Sequence, residues 1–588
     1  MSKNWLLKKI LERKKQKITV LDRVLFGILA AGFALIVVFF AYLLWFTLTN
    51  KSVIYFLPSE KTVAYFELED LTLPPKISQD TLFGLTGVSA ILKNSFGLDI
   101  KDLQGNLTQG RTGLALVKTG NGDQLLLFFR TRSKSEAIKY FESLGVKDEK
   151  LTTIGEKKNL IYSYPQSRAF SFSFIGPYLF LSQDIEALKT IQSVKDGLEP
   201  NLHEDLQYQK SLANLPRDAW GNGYLNIRSL RFGANNPLNN LAGPLKNIVN
   251  HLSLTIRKQQ NGFHFNTLLS INPSLLALNK GPADSTRFAY SLADFIGSKN
   301  IVAYLGGADL SDEWQNTLDT ISNLNPAYGL IMEGILNAQT SKIFGDKVSL
   351  RDDIYPLFKG EYALVFEKSP APVARPSSVA TDEARVATGP APATKSATED
   401  AGHLVVKLIL KHSDSSFAKT KLEKLMDGFK MLAAQFAPKL KVVTLPDGTE
   451  SKELVADATK LNETSETYKD YEINCTKITD STFGFCYTVT DSLIVLSSNE
   501  DSIKETIDLS FSPKFVLSQS QSFRQALSNL SAISDEITFI SLDNANTILK
   551  NTKVGLVTNN LLSQFEAITW IKHYFSDGVS TEGYLLLK

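Results

Sequence analysis

Cysteine and histidine are both scarce: the 588 residues include two cysteines and six histidines. Cys475 and Cys486 form no C-x-x-C and have no histidine nearby, which argues against a redox or metal centre. His203, His251, His264, His403, His412 and His573 make no H-x-x-x-H or H-E-x-x-H. His264 alternates with Phe263 and Phe265 and is expected on the polar face of its strand; all six read as surface residues. G-x-S-x-G, Walker A and G-x-G-x-x-G patterns are missing. One S-x-x-K, Ser416–Lys419, falls in a predicted helix and is too loose a pattern to define a nucleophile. No catalytic, cofactor-binding or metal-binding residues are assigned, and a non-enzymatic protein is expected.

An excess of charge of one sign is also missing, with 63 basic and 61 acidic residues. Eight of the basic and two of the acidic residues lie in the first 23, so the remainder is slightly acidic. A nucleic-acid partner is therefore not expected.

Long apolar runs are lacking, with one exception. Val24 to Asn50 reads VLFGILAAGFALIVVFFAYLLWFTLTN and holds no Asp, Glu, Lys or Arg. A bilayer takes roughly 20 apolar residues of helix, so the run is long enough to span. It is longer than a signal-peptide core and lacks a small-x-small end, so it reads as an uncleaved single-pass anchor. The basic flank predicts a cytoplasmic tail (1–23), an anchor (24–48), and an extracytoplasmic bulk in the cell envelope.

Beyond the anchor the chain repeats itself. FLPSEKTVAYFELEDL (Phe56–Leu71) aligns without a gap on FIGSKNIVAYLGGADL (Phe295–Leu310). LTQGRTGLALV resembles LFKGEYALVF, YLFLSQDIEALK resembles SLIVLSSNEDSIK, YQKSLANL matches FRQALSNL, and GYLNI matches TFISL. The matches keep their order, which predicts two homologous units over 51–290 and 291–588.

Each unit opens with a strand, then a helical region: Asp80–Asn94, with apolar residues from Leu82 to Leu92, in the first, and after Pro326 the stretch Leu330, Ile331, Ile335, Leu336 in the second. Ser133 and Glu136 form a capping-box pattern ahead of Ala137, Ile138 and Phe141. AFSFSF (Ala169–Phe174) alternates as a half-buried strand should. Hairpins beside helices predict an α+β fold with largely antiparallel sheets covered on one side. The stretch 369–402, rich in Pro, Ala, Ser and Thr, reads as a disordered insertion, and 446–467 as a milder one.

A turn at Asp480-Ser481 sets Cys475 opposite Cys486, and in an exported domain that pair suggests a disulfide. Glu67, Glu69 and Asp70 form an acidic cluster at a strand end, expected to be solvated. Asn106, Asn462, Asn474 and Asn529 start N-x-S/T sequons.

The basic tail, the single anchor and the LPSEKTVAYFELEDL opening are similar to an uncharacterised bacterial single-pass envelope family, domain of unknown function three-three-five-two. The resemblance implies an exported, tethered domain without assigned catalysis, and carries over no site residues or cofactor. The expected function is a scaffold or adaptor that binds a protein or cell-envelope partner. The alternatives are an envelope protein that binds a lipid or other hydrophobic ligand, with helices 80–94 and 326–338 over a hollow, and a hydrolase with an unrecognised site.

Overall fold

The computed structural model describes residues 52–70, 92–98, 107–143, 148–154, 157–164, 170–213, 215–216, 218–230, 246, 249–272, 288–324, 326–369, 404–435, 438–444, 449–479, 484–531, 534–549, 564–575 and 578–588. The expected anchor, the 80–91 part of the first apolar helix, His403 and almost all of the 369–402 insertion lie outside them. Among the described residues no helix is long and apolar enough to cross a membrane.

In chain order the first half contains β1 (Thr62–Leu68), β2 (Thr108–Thr119), β3 (Gly122–Thr131), α1 (Lys134–Ser143), β4 (Asp148–Ile154), β5 (Lys157–Tyr164), β6 (Phe170–Ile175), β7 (Tyr178–Ser182), α2 (Ile185–Lys195), α3 (Leu206–Ala213), β8 (Gly221–Asn226), β9 (Val249–Gln259) and β10 (Gly262–Ile271). The second contains β11 (Ile301–Gly307), α4 (Leu310–Leu324), α5 (Pro326–Phe344), β12 (Tyr362–Lys368), β13 (Leu404–Lys411), α6 (Ser415–Gln435), β14 (Pro438–Thr444), β15 (Glu450–Ala456), β16 (Leu461–Tyr468), β17 (Tyr471–Ile478), β18 (Gly484–Val489), β19 (Leu493–Ser497), α7 (Glu500–Phe511), α8 (Gln521–Ser528), β20 (Glu536–Ser541), α9 (Leu542–Leu549), β21 (Phe565–Phe575) and β22 (Gly578–Leu587).

Among the described residues twenty strands form one sheet. Its order is β4-β5-β6-β7-β3-β2-β1-β8-β9-β10-β22-β21-β20-β11-β12-β13-β19-β18-β17-β16, antiparallel throughout. The α+β class with antiparallel pairing is as expected. Separate sheets covered on one side are not what forms. The two halves join through β10 and β22, because a closing strand left at an edge would leave its backbone donors and acceptors unpaired. β14 and β15 make a small separate hairpin; β15, with most of β16, falls in the stretch 446–467 expected to be a mild insertion, and β14 lies just before it.

Both faces are covered. On one face Tyr65, Val117, Leu126, Phe128 and Phe180 pack beneath Ile54, Leu57, Leu188 and Ile191. On the same face of the second half Tyr304, Val365, Ile409 and Val495 pack beneath Leu292, Ile296, Ile503 and Phe523. On the opposite face Phe129, Phe141, Phe172, Leu181, Trp220 and Phe263 form a core that runs across the junction to Leu542, Phe565 and Leu587. Tyr362, Leu410, Leu422 and Met426 complete that face further on. Fully burying each large side chain of this kind contributes about 1.5–3 kcal/mol.

Local signals hold where neighbours in sequence decide them. Ser133 Oγ accepts the Glu136 amide at 3.4 Å at the start of α1. β6 alternates, but both of its faces are buried: Ser173 Oγ donates to the Leu160 carbonyl at 3.0 Å, and Ser171 meets Ser163 at 3.2 Å. Leu330, Ile331 and Ile335 on α5 are 71%, 56% and 49% exposed, so they do not face a hollow over the sheet.

At the junction Phe265 lies opposite Gly583, and a β-carbon there would fall 2.0 Å from the ring. Gly583→Ala should lower unfolding stability by about 1–3 kcal/mol through overpacking. Adding Phe265→Leu should recover part of that loss, as read from denaturant midpoints of the two variants.

Candidate functional site

β9 reads VNHLSLTIRKQ and alternates in polarity. Leu252, Leu254 and Ile256 face the core that spans the junction; His251, Ser253, Thr255 and Arg257 face the other way. On a sheet edge that second row would meet water. Here β9 and β10 lie mid-sheet, and His251, Ser253 and Thr255 are 4%, 0% and 1% exposed.

Asn266 and His264 of β10 stand beside Thr255 and Arg257, and Glu582 of β22 faces Asn266 from the second half. Arg257 Nη2 lies 2.9 Å from His264 Nδ1, and His264 Nε2 lies 2.7 Å from Glu582 Oε1. A guanidinium only donates, so Nδ1 accepts and Nε2–H donates to Glu582. The Ser531 amide donates to Glu582 Oε2 at 3.0 Å, and Ser531 Oγ lies 3.0 Å from His573 Nε2. Burial works to raise the Glu582 pKa, but hydrogen bonds from His264 and Ser531 outweigh it and hold the carboxyl below its ordinary 4.5. Burial lowers the His251 pKa and favours the neutral ring.

His251 and His264 are therefore buried, against the expectation of surface histidines, because the β10–β22 pairing encloses their face. His412 Nε2 lies 3.1 Å from the Thr490 carbonyl oxygen, and His203 lies 3.1 Å from Tyr55 Oη.

The acidic cluster separates. Glu67 is buried, not solvated: it accepts from Ser52 Oγ at 2.7 Å and Tyr178 Oη at 3.2 Å, with Arg111 3.8 Å away. Burial raises its pKa, with Arg111 opposing. Asp70 turns to the opposite face, where Trp220 Nε1 donates to it at 2.9 Å. Ser416 and Lys419 are exposed on α6, and Lys419 pairs with Glu472 at 3.3 Å. Cys475 and Cys486 are joined as a disulfide, Sγ–Sγ 2.03 Å. Glu500 lies beside them, but bonded sulfurs offer no thiolate to a metal. Asn529 caps α8, its amide donating to the Gln525 carbonyl at 2.7 Å.

Two further charge clusters, one buried and one half-buried, give no sequence signal. Lys407 Nζ meets Glu367 Oε1 at 2.7 Å, and Ser502 Oγ donates to Glu367 Oε2 at 2.7 Å. Glu313 of α4 stands beside Glu536, Lys572 and Tyr362; burial and the neighbouring Glu536 carboxyl push its pKa up to about 9. The members of each come from strands and helices far apart in sequence.

The fold is α+β, built on one large antiparallel sheet with a polar seam at its centre. Residues 85–398 match the model of a family described as "Protein of unknown function (DUF3352)", more than half of the chain, and the chain belongs to that family. No curated protein matches it. Among solved structures, crystal form IV of TP0453 is 10% identical with a TM-score of 0.24, covering 37% of this chain and 79% of its own. Crystal form III is 12% identical with a TM-score of 0.24, covering 38% and 81%. Neither fold nor function is carried over from them.

Because the Glu582 pKa is depressed in the folded state, its stabilisation is present above 4.5 and lost as pH falls through the lower folded value. Wild-type denaturation midpoints should therefore decline below that pH, and Glu582→Gln should flatten the decline. An unchanged acid profile in the variant would remove Glu582 from the account.

Proposed function

We propose that the protein is a non-catalytic scaffold or adaptor of the cell envelope, tethered by Val24–Asn50 with residues 51–588 outside the membrane. We read its ectodomain as two homologous α+β units joined at β10 and β22.

Recurring detail supports the duplication. β1 pairs with β2 and β8 as β11 pairs with β12 and β20, with a register shift at the same place in each. Gly110, at the irregular start of β2, and Gly360, just before β12, have φ of +90° and +107°, a conformation open chiefly to glycine. Asp184 caps α2 as Asn499 caps α7. Ser52 donates to Glu67 on β1, and the matching Ser291 donates to Glu361 beside β12.

The observation that carries the adaptor reading is the outward apolar row on α5, Leu330, Ile331 and Ile335. Water-exposed apolar side chains grouped on one helix face favour a partner protein that covers them. A photo-crosslinking residue at position 331 of the full-length protein in native membranes should give one discrete adduct, and Ile335→Glu should abolish it. The reading fails if position 331 gives the same products as the exposed control position 142. An adduct of twice the chain mass would replace the adaptor by self-association.

A further inference from the structure

Ser52 stands two residues beyond Asn50, and its Oγ donates to Glu67 Oε2 at 2.7 Å near the end of β1. Two residues of extended chain reach at most about 7 Å. In the tethered reading, on which this inference rests, the end of β1 therefore lies beside the bilayer. Seven antiparallel pairings lead from β1 to β11, so the two strands run in opposite directions and β11 starts at the end where β1 finishes. The segments ahead of both strands, with Ile54 and Leu57 in one and Leu292 and Ile296 in the other, cover the same face of the sheet. A loop over that face at the start of β11 shares its side of the molecule with the anchor's exit, about 34 Å away along the sheet.

The loop between α7 and α8 occupies that place. Val516 bridges Gly297, and the Phe515 carbonyl accepts from the Ser298 amide at 2.8 Å and from Ser298 Oγ at 2.7 Å. The Phe515 side chain is 69% exposed, so it adds little to the core. Its φ is +57°, a region disfavoured for any residue with a β-carbon. A bulky residue held in that conformation and turned to solvent points to a function. A cavity of about 370 Å³ opens beside the ring, walled by Ser298, Lys514 and Gln519. Lys299 Nζ lies 5.1 Å from the ring centroid. Lys299 and Lys514 are exposed and form no ion pair among the described residues. Two acids lie close by: Asp294, which accepts from Ser518 Oγ, and Glu505, which sits against Gly297. Neither lines the cavity.

The corresponding loop of the first half makes the same backbone contacts with different side chains. Pro58 bridges Asn201, and the Pro200 carbonyl accepts from the Ser59 amide at 3.0 Å. Glu199 and Pro200 stand where the second half has Lys514 and Phe515, and Glu199 pairs with Lys61 at 2.7 Å. That loop lies by the start of β1, the end away from the anchor's exit. The exposed ring and the unpaired lysines belong to the copy on the anchor's side.

We propose that the Phe515 loop is a second membrane contact, in which the ring enters the interfacial layer of the bilayer and Lys299 and Lys514 meet the headgroups of anionic phospholipids. A phenyl group at the boundary between headgroups and acyl chains leaves water. Lysines beside it gain from the negative potential of an anionic surface. The anchor's exit on the same side selects the bilayer over a protein partner. Anchor and loop together hold the ectodomain at one tilt, which a single flexible tether does not.

The test uses the full-length protein reconstituted into vesicles of phosphatidylcholine, alone or mixed with phosphatidylglycerol. Both native cysteines are bonded to each other, so Phe515→Cys or Pro200→Cys takes a single fluorescent dye. Nitroxide-labelled lipids then report whether the dye reaches the bilayer. Position 515 should be quenched severalfold more than position 200 in the anionic vesicles, and less in neutral vesicles or high salt. Lys299→Glu/Lys514→Glu should remove the quenching at position 515. Phe515→Gly in detergent should melt no lower than wild type, because glycine adopts the positive φ freely. The proposal is overturned if positions 515 and 200 are quenched alike, if neutral vesicles quench 515 as anionic ones do, or if the charge-reversed variant keeps the quenching. It is also overturned if Phe515→Gly melts lower, since the ring would then serve the fold. Dye self-quenching relieved by dilution with unlabelled protein would assign the loop to a second copy of the chain and overturn it too. Protein that an alkaline carbonate wash strips from the vesicles would overturn the tether, and this inference with it. Protein retained through the wash with position 515 unquenched would overturn this inference alone.

Discussion

The backbone pairing of β10 with β22 is the contact on which the rest of the architecture depends. Among the described residues it leaves β4 and β16 at the ends of the sheet. β16 is lined with charge, Glu463 and Glu466 pairing with Lys430 and Lys504, which discourages further strand addition. The same pairing makes the middle of the sheet an interior. Polar residues of β9 and β10, harmless on an open edge, become buried groups that need partners.

The two halves meet that interior differently. Under α7, Glu367, Lys407 and Ser502 form a fully enclosed ionic cluster. The positions that pair in the same way in the first half hold Val117, Leu126 and Ala187, all buried. An apolar cluster does the same packing without desolvating charge, and a buried ion pair is often no more stabilising than its apolar replacement. Asp353 is another enclosed acid of the second half. Burial opposes its ionisation, but Lys421 and Lys424 bring its pKa down to about 2. It ties the turn before β12 to α6. The second half thus spends more of its interior on charge than the first.

Features set by near neighbours were legible in the chain. The Ser133 cap, Pro326 at the start of α5, the alternation of β6, and the strand openings at Val63 and Val302 depend on residues a few positions apart. The cross-strand position of Cys475 and Cys486 follows from a short hairpin in the same way. What was misread depends on distant partners. Glu67 resembled a solvated acid because Ser52 and Tyr178, which enclose it, lie far away in sequence.

The sequence by itself determined many of the strands and helices and which side of β9 is polar, although β15 and most of β16 form in the stretch 446–467 that reads as an insertion. That polarity is written in period-two alternation, a property of the local backbone. Only the tertiary structure decided which side is buried. His251, Ser253 and Thr255 alternate as a water-facing row would, yet they are enclosed. Their burial follows from pairing between strands more than three hundred residues apart, and no local pattern encodes a contact at that separation.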